Sequence, residues 1–346
     1  MGDLTRGVNG NSRVFAQFNA GKRSIAVDLK QAEGQELVKQ LVAQADVLIE
    51  NFRHGIMARF GLDYASLHKA NPGLVYCSIS GFGQTGPYRD RAAYAPIIHA
   101  ASGFDAVFGG TQGNADARPP NWEIMMADIM TGAMAFGAVQ TALLGKVKTG
   151  VGQYLDVSMM EAVMSLIPAH IQAAQMDDPD PIGRYCPVQT ADGFMMVCVV
   201  SDKNMQCLAD ALDRQDFLTD ERFLGRARRS NIDALAREIE KWSRKYSSKK
   251  CEMALNKASV PCAMYQQPED LFDHPQVVER GSFAPIRDAQ LGEFLIQNLP
   301  IQFTGFDATA SDWVARLGEH TDSVLSTDLG ISPEALADLR ARAVIA

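Results

Sequence analysis

The sequence predicts an α/β protein in which a large parallel-sheet domain is followed by a smaller α+β domain. Short apolar runs of the buried-strand type recur at 46–51, 74–80 and 153–159, and helical patterns separate them. Strands that alternate with helices favour parallel pairing, because the chain must cross back over the sheet between successive strands. Further along, the pair Asp192-Gly193 lies between two strand-like runs and predicts an antiparallel hairpin.

The first elements follow from hydrophobic periodicity. SIAVDLK (24–30) is predicted to form a short strand, and residues 31–45 are predicted to form an amphipathic helix. DVLIEN (46–51) and LVYCSIS (74–80) are near-continuous apolar runs, which are typical of strands that are buried on both faces. Short helices are expected between these two strands.

The same alternation continues in the rest of the large domain. A long helix of small and apolar residues is expected from about Asp128, followed by the strand QYLDVSM (153–159) and a helix over 160–175. MDDPDPIGRYCP (176–187) is rich in proline and aspartate and is therefore expected to be a linker.

Beyond the linker, the pattern predicts the hairpin, several helices and one further strand. The strand is expected at VPCAMY (260–265), and PEDLFDHPQVVERG (268–281) is expected to be helical. Near the C-terminus, Ser332 is expected to cap a helix whose first position is Pro333. Further helices are predicted at 203–212, 231–247 and 249–257.

Composition excludes several classes of function. The chain has 346 residues and a net charge of −8, and an acidic chain without long basic runs is a poor binder of nucleic acid or membrane surfaces. The six cysteines form no CxxC pair, which predicts reduced thiols in a cytoplasmic protein. The six histidines are dispersed, so no metal site is expected. In the long apolar helix, Gly132, Gly137 and Gln140 favour packing against protein rather than lipid.

A glycine-rich motif follows the strand at 74–80. Residues 81–86 read GFGQTG, a literal match to the dinucleotide-binding pattern GxGxxG. That pattern requires a helix directly after it and an acidic residue about 20 positions on, at the end of a strand. Pro87 and Pro96 oppose such a helix, and Asp105 does not follow a strand. The loop is therefore expected to bind a ligand at the carboxyl end of a parallel strand, without being a dinucleotide fingerprint.

A single carboxylate, Asp128, stands near the start of the apolar helix EIMMADIMTGAMAFGAVQTALLGK (123–146). Aspartate is favoured at a helix N-cap, because its oxygen accepts a free backbone N–H and its charge suits the positive end of the helix dipole. The other interpretation is a catalytic carboxylate. Helical spacing by itself favours the cap and leaves both interpretations open.

Four segments carry a resemblance to a known family: NAGKRSIAVDLK (19–30), the run from ADVLIENFRHG to GFGQTGPYRDR (45–91), ADIMTGAMAFGAVQTALL (127–144) and TGVGQYLDVSMMEAV (149–163). Together they closely resemble the class III coenzyme A transferases, the family that includes formyl-CoA transferase, the carnitine CoA-transferases and the α-methylacyl-CoA racemases. Shorter matches such as TADGFMMV, LTDERF, HPQVVERGSF and LGEHTDSVL extend the resemblance over nearly the whole chain.

The resemblance implies a homodimer of two chains that pass through each other as interlocked rings. Each chain would have a large Rossmann-like domain that binds CoA (residues 1–175), a linker (176–187), a small α+β domain (188–295) and a return linker with a C-terminal helix on the large domain (296–346). The family begins one βαβ unit earlier than this chain. We therefore expect either a start codon that was assigned too late or a natural short form.

The resemblance also implies the chemistry. Asp128 would be the nucleophile of a transferase that moves CoA from an acyl-CoA to a carboxylic acid, through an aspartyl anhydride and an aspartyl-CoA thioester. CoA would be a substrate, and neither a permanently bound cofactor nor a metal is expected. Backbone N–H groups of GFGQTG and of FGGTQG (108–113) would reach the developing oxyanions. The expected CoA-binding residues are Lys22, Arg23, Arg53, Arg59, Gly81, Gly83, Tyr88 and Tyr94; the alternative for the basic residues is a solvated face, and for the tyrosines packing.

Two other functions remain open at this stage. The racemases of the family carry a catalytic histidine at the position where this chain has Tyr94, and a phenol is a poor proton acceptor at neutral pH. His99 lies five residues further on and does not match that position. A transferase is therefore favoured over an acyl-CoA racemase or epimerase. The third interpretation is an inactive CoA-binding member of the family.

Overall fold

The structure, a computed structural model, consists of two units and describes residues 3–7, 12–110, 114, 116–120, 123–177 and 185–346. The first unit comprises residues 1–168 and 282–346, and the second comprises residues 169–281.

A parallel sheet of three strands, in the order β1-β2-β3, forms the centre of the first unit. The strands are β1 (Val47–Glu50), β2 (Val75–Ser80) and β3 (Tyr154–Ser158). The central strand, β2, pairs in parallel with both neighbours. All three strands lie where the sequence predicts them, so the predicted parallel α/β fold is confirmed.

The strand predicted at 24–30 is wrong. This segment is extended, and it pairs through an isolated antiparallel bridge between Val27 and Ile345. The backbone N–H of Asp28 donates to the carbonyl oxygen of Val344 at 2.9 Å. Its neighbour is therefore the end of the chain and not another strand of the sheet, and a single bridge does not make a strand.

Most of the predicted helices are present, but those predicted over 160–175 and 268–281 are each divided into two shorter helices. Short 3-10 helices lie at Leu4–Arg6, Gln215–Leu218, Glu221–Phe223 and Pro268–Leu271. The α-helices are α1 (Arg13–Asn19), α2 (Ala32–Ala43), α3 (Ile56–Arg59), α4 (Tyr64–Leu67), α5 (Ala95–Ala101), α6 (Phe104–Phe108), α7 (Met126–Thr149), α8 (Met159–Met164), α9 (Pro168–Ala173), α10 (Asp202–Leu212), α11 (Ala227–Ser230), α12 (Ile232–Ser243), α13 (Ser248–Lys257), α14 (Pro275–Glu279), α15 (Thr321–Leu329) and α16 (Pro333–Ala341).

The C-terminal helix packs on the first unit. The hydroxyl of Ser332 accepts the backbone N–H of Ala335, and Pro333 is the first helical residue, so the predicted cap is confirmed. Leu37 of α2 lies in one buried apolar cluster with residues of α15, of α16 and of the chain end. The other members of that cluster are Leu325, Leu336, Leu339, Val344 and Ile345.

The long helix α7 covers part of the sheet. Ala135 and Val139 lie in one buried cluster with Cys77 of the central strand, so one face of α7 belongs to the core. Within the described ranges, α7 is the one helix whose length and hydropathy would allow it to cross a membrane. Since 28% of its most apolar window is buried in the single chain, much of its apolar surface is open to solvent.

The second unit is built on an antiparallel sheet in the order β4-β5-β6. Its strands are β4 (Pro187–Gln189), β5 (Phe194–Val197) and β6 (Cys262–Met264). The first two form the predicted hairpin, and helices of the unit bury apolar residues against the sheet. The predicted linker 176–187 lies largely outside the described residues, and its last residue, Pro187, begins β4.

The predicted C-terminal boundary of the small domain differs from the structure. The sequence predicts a small domain over 188–295, whereas the second unit ends at Gly281 and the hairpin β7 (Phe283–Asp288) with β8 (Gly292–Gln297) belongs to the first unit. The hairpin is joined to the first unit by a long-range contact with α1. The side chain of Gln17 donates to the carbonyl of Gln297 at 3.0 Å and accepts the N–H of Gln297 at 2.7 Å.

Gly152 permits a close approach of two backbone segments at the entry to β3. A Cβ atom at this position would lie 2.0 Å from the carbonyl oxygen of Leu74 and 2.6 Å from the carbonyl carbon of Gly73. These are backbone atoms next to β2, so they cannot rotate away as a side chain could.

We expect Gly152→Ala to destabilise the first unit by about 1–3 kcal/mol, the usual effect of overpacking. The matched control is Gly193→Ala, where the added carbon would meet the Ser248 hydroxyl at an ordinary 3.6 Å. Its effect should stay within about 0.5 kcal/mol. Thermal and urea unfolding measure both. Equal stabilities for the two variants would contradict the close approach.

Candidate active site

The glycine-rich loop after β2 is held by backbone contacts on two sides. A Cβ atom on Gly81 would lie 2.2 Å from the Cβ of Ala93, so this close approach requires glycine. The carbonyl of Gly81 accepts the N–H of Met160, at the start of α8, at 3.0 Å. The N–H of Gln84 donates to both oxygens of the Asp156 carboxylate, at 3.1 and 3.0 Å. The loop is thereby fixed at the carboxyl edge of the parallel sheet.

The sequence predicts that no helix directly follows the glycine-rich loop, and the structure agrees. Residues 81–94 form turns and bends, and the next helix, α5, begins at Ala95. Gly83 has φ of +84°, a left-handed backbone conformation that glycine adopts readily. The second glycine loop expected at 108–113 lies partly outside the described residues, because residues 111–113 are not among them.

Asp128 lies inside the first turn of α7. The helix begins at Met126 with Met125 in the N-cap position, so Asp128 is the third helical residue. The interpretation of Asp128 as the N-cap is therefore wrong, because the helix begins two residues earlier than its carboxylate. In the part of the chain that the structure describes, the side chain at the N-cap position makes no capping hydrogen bond.

A histidine lies beside this helix start, and sequence reasoning missed it. His99 of α5 is 1% exposed, and its Nε2 accepts the backbone N–H of Ala127 at 3.2 Å. The His99 ring packs against Phe104, with ring centroids 5.3 Å apart. The contact joins residues 28 positions apart in the chain. Local sequence pattern carries no signal for such a pair.

The surroundings raise the pKa of the Asp128 carboxyl. The side chain is exposed in the single chain, but neighbouring protein atoms partly dehydrate it, and this raises the pKa above the usual value. A hydrogen bond from its own backbone N–H and the proximity of His99 act in the opposite direction and are weaker. Burial also raises the pKa of Asp105 in α6, whose buried Oδ1 has no hydrogen-bond partner among the described residues.

Contacts link the glycine-rich loop to α5, and α5 to the start of α7. Ile98 of α5 lies against Gly81 of the loop, at 3.4 Å from the position of a Cβ on that glycine. The next residue, His99, bonds the start of α7. These contacts connect the glycine-rich loop, through α5, to the first turn of α7, which carries the Asp128 carboxylate.

The predicted phosphate-binding residue Arg53 lines a recess of about 300 Å³ at the end of β1. His54 lines the same recess, and its Nδ1 lies 3.1 Å from Asp90 in the loop after β2. Other lining residues are Glu50, Asp63, Tyr64, Tyr76, Ser78, Gln84 and Tyr154. Among the described residues, no carboxylate lies within ion-pair distance of Arg53, which leaves its guanidinium available to an anion.

The other predicted CoA-binding residues lie at separate places. Arg59 is the exposed last residue of α3. Lys22 donates to Asn19 at 3.1 Å, and Arg23 forms an ion pair with Asp328 at 3.4 Å. Neither Lys22 nor Arg23 is among the described residues that line the recess containing Arg53.

The two predicted tyrosines differ in their surroundings. Tyr88 packs edge-on against Phe82, with ring centroids 5.6 Å apart, and carries the guanidinium of Arg91 over its ring at 3.4 Å. Tyr94 is the N-cap residue of α5 and is 63% exposed. Tyr88 is therefore partly committed to packing, whereas Tyr94 is free to contact a ligand.

No cluster of three or more metal-ligating side chains occurs among the residues that the structure describes. The six cysteines are all free thiols.

Comparisons with known proteins identify the family. The sequence model of the family described as CoA-transferase family III matches residues 1–321. A succinate–glutarate CoA-transferase from Agrobacterium fabrum is 36% identical over 286 residues, which cover 80% of this chain and 70% of that protein. A succinyl-CoA–D-citramalate CoA-transferase from Chloroflexus aurantiacus is 31% identical over 336 residues, which cover 94% of this chain and 82% of that protein.

A solved structure is similar as well. The crystal structure of a CAIB/BAIF family protein from Brucella suis superposes with a TM-score of 0.73 at 31% identity, and the match covers 90% of this chain and 82% of that one. Because the family match runs from residue 1 to residue 321 and these relatives align over most of both chains, the chain belongs to CoA-transferase family III.

Proposed function

We propose that this enzyme moves CoA from an acyl-CoA donor to a short dicarboxylic acid, with Asp128 as the nucleophile. The observation that carries the proposal is the position of the Asp128 carboxyl, in the first turn of α7 and in surroundings that partly dehydrate it. Relatives that are named for succinate, glutarate and citramalate support dicarboxylic acids as substrates.

The proposed reaction exchanges bonds without net proton transfer. A carboxylate oxygen of Asp128 attacks the thioester carbonyl of the donor, the C–S bond breaks, and a mixed anhydride and CoA thiolate are formed. The thiolate attacks the Asp128 carbonyl of the anhydride and releases the donor acid, which leaves an aspartyl-CoA thioester. The acceptor carboxylate then displaces CoA to form a second anhydride. Thiolate attack on its acceptor carbonyl gives the new acyl-CoA and restores Asp128.

Partial dehydration explains how an ordinary carboxylate becomes a nucleophile. Water stabilises a carboxylate anion and must be removed before the oxygen can attack. A carboxylate that is already partly dehydrated therefore needs less free energy to give up its remaining water. The same dehydration raises the pKa of Asp128. The positive end of α7 counteracts it, because free N–H groups in a helix first turn stabilise a negative charge. The anion is thus retained and remains reactive.

The basic residues suit the charged end of CoA. Arg53, with no carboxylate partner within the described residues, gives the recess after β1 a guanidinium for a phosphate, whereas His54 in the same recess lies against Asp90. We keep Lys22, Arg23 and Arg59 as further CoA contacts on the basis of the resemblance alone. In the same way, Gly81 and Gly83 are proposed to stabilise oxyanions, and Tyr88 and Tyr94 to contact the pantetheine arm.

A racemase is less well supported by the site. Tyr94, at the position of the racemase histidine, is not a base at neutral pH. His99, the other candidate, already accepts a backbone N–H with Nε2, so that nitrogen is not available to abstract a proton. Exchange of the α-proton of an acyl-CoA with deuterated water would reveal racemase activity. CoA binding without turnover of any donor and acceptor would reveal an inactive member of the family.

We also propose that the chain is a cytoplasmic homodimer of interlocked subunits. Its first unit leaves two apolar surfaces uncovered, one on α7 and one on the segment that returns after β8. The exposed residues of α7 include Ile129, Phe136, Leu144 and Val147, and those of the returning segment are Leu299, Ile301, Phe303 and Phe306. Soluble proteins rarely leave contiguous apolar surface of this kind without a partner, and a second copy would cover it. The free thiols suit a reducing compartment.

The first prediction for this function concerns dimer dissociation. Sedimentation at micromolar and at nanomolar concentrations should show twice the mass of one chain at both, because interlocked rings cannot separate without opening. A monomer at micromolar concentration would contradict the proposed assembly.

The second prediction concerns the charge on Asp128. A raised carboxyl pKa means that the folded chain holds the proton more tightly than the unfolded chain, so ionisation of Asp128 lowers folding stability as the pH rises through its titration. Asp128→Asn should therefore melt at the same or a higher temperature than the parent at about pH 7, with a difference that shrinks toward about pH 4.

Asp63→Asn is the matched control for that measurement. Burial raises the pKa of Asp63, but hydrogen bonds from the hydroxyl and the N–H of Ser66 outweigh it, so the net shift is downward. Its ionised form stabilises α4 as a cap, and this stability is lost as the pH falls. Asp63→Asn should thus melt at a lower temperature at neutral pH. An equal loss of melting temperature in Asp128→Asn at neutral pH would contradict the proposal that dehydration destabilises the Asp128 anion.

The third prediction tests the nucleophile directly. With succinyl-CoA as donor and glutarate, malate and citramalate as acceptors, Asp128→Asn should lose transfer by several orders of magnitude, because the amide cannot attack. Hydroxylamine or borohydride, added to the parent with acyl-CoA, should modify the peptide that contains Asp128, as both trap activated carboxyls. An unmodified peptide together with an active Asn variant would rule out Asp128 as the nucleophile.

A further inference from the structure

The start of α7 is capped by a side chain from another helix. The first N–H groups of an α-helix have no partner within the helix and are usually capped by the residue just before it. In the described residues around Met125, no side chain does so. Instead, the N–H of Ala127 donates to Nε2 of His99 on α5 at 3.2 Å, and both residues are almost fully buried.

This hydrogen bond determines the state of the imidazole. A ring nitrogen that accepts a backbone N–H must present its lone pair, so Nε2 of His99 carries no proton in this arrangement. His99 therefore acts here as a hydrogen-bond acceptor through Nε2.

Ala127 is also held at its carbonyl oxygen. The hydroxyl of Thr131, one turn further along α7, donates to the carbonyl of Ala127. The imidazole is itself held by Phe104, whose ring stacks on Phe108 at a centroid distance of 4.3 Å. Ala127 directly precedes Asp128, so the contacts that hold Ala127 also set where the carboxylate points.

We propose that His99 is a positioning residue for the reaction: its Nε2 holds the Ala127 N–H and thereby fixes the first turn of α7 with the Asp128 carboxylate in attacking geometry. The inference rests on the proposed role of Asp128 as nucleophile. His99 would touch neither the substrate nor the reacting atoms. Its contribution would be orientation, which matters because a displacement of about 1 Å at a reacting group can reduce the rate about a hundredfold.

Two substitutions separate this role from catalysis by the ring. The amide oxygen of Gln in His99→Gln can occupy the place of Nε2 and accept the Ala127 N–H, but it can neither titrate nor carry charge. His99→Leu keeps an apolar side chain of similar size and removes the acceptor. We expect Gln to keep kcat within about threefold and Leu to lose about a hundredfold in kcat, with little change in the KM for succinyl-CoA.

A second readout does not depend on activity. Amide hydrogen exchange with fragmentation mass spectrometry should show slow exchange of the Ala127 N–H in the parent and in His99→Gln, and fast exchange in His99→Leu. Should the Leu variant fail to fold, His99→Asn takes its place, because its shorter amide mimics Nδ1 and does not reach Ala127. It should then show the low kcat and the fast exchange.

The outcomes distinguish this inference from the proposed function. A Gln variant as slow as Leu or Asn would overturn the positioning role, since the ring itself would then be required. Full kcat in the Leu or Asn variant would overturn it too. If instead Asp128→Asn stays active, the proposed nucleophile fails and the positioning role falls with it, whatever the His99 variants do. The exchange data would then still report whether the hydrogen bond exists.

Discussion

The burial of β2 between two parallel neighbours is the constraint on which the candidate site depends. Val75, Tyr76 and Cys77 are at most 2% exposed, so this strand cannot shift without exposing the centre of the core. Its last residue, Ser80, lies opposite Ser158 at the end of β3. Since parallel strands end at the same edge, the glycine-rich loop after β2 and the start of α8 after β3 leave the sheet side by side. Every other part of the site is attached to that edge.

The attachments form a chain of short contacts. The loop bonds α8 through the carbonyl of Gly81 and β3 through Asp156, and it packs on α5 at Ile98. Helix α5 in turn bonds α7 at Ala127. Loops near an active site are commonly mobile, but here the loop is held at several points. A rigid arrangement of this kind suits the proposed reaction, which would form and break several acyl bonds at a single carboxylate.

At Asp128, the proposed nucleophile, the role in the reaction and the stability of the fold would conflict. Most of the chain's other perturbed aspartates, such as Asp63, are stabilised as anions by hydrogen bonds. Asp128 is partly dehydrated, and the fold does not fully compensate its charge. Active sites often retain such destabilised groups, because the feature that lowers stability is the one that raises reactivity. The uncovered apolar surface of α7 lies on the same helix, so a second subunit on that surface would bring the site and the dimer contact onto one element.

The sequence by itself determined the class of fold, and its resemblance to a known family led to Asp128 as the proposed nucleophile. Local apolar runs predict buried strands, and the three strands of the parallel sheet lie at those runs. The absence of a helix after GFGQTG also followed from local residues, since proline restricts the backbone wherever the chain goes. The family resemblance singled out Asp128, and the family match to residues 1–321 agrees with that resemblance.

Tertiary structure alone decided the features that depend on distant partners. The segment 24–30 has the composition of a strand, but its neighbour is the end of the chain, so it forms one bridge. The hairpin β7–β8 belongs to the first unit because α1 hydrogen-bonds it. Asp128 is not a cap because α7 begins at Met126, where a histidine from α5 accepts the N–H that a local cap would have accepted. Periodicity and spacing report what neighbouring residues prefer, whereas these three outcomes were set by contacts between segments far apart in the chain.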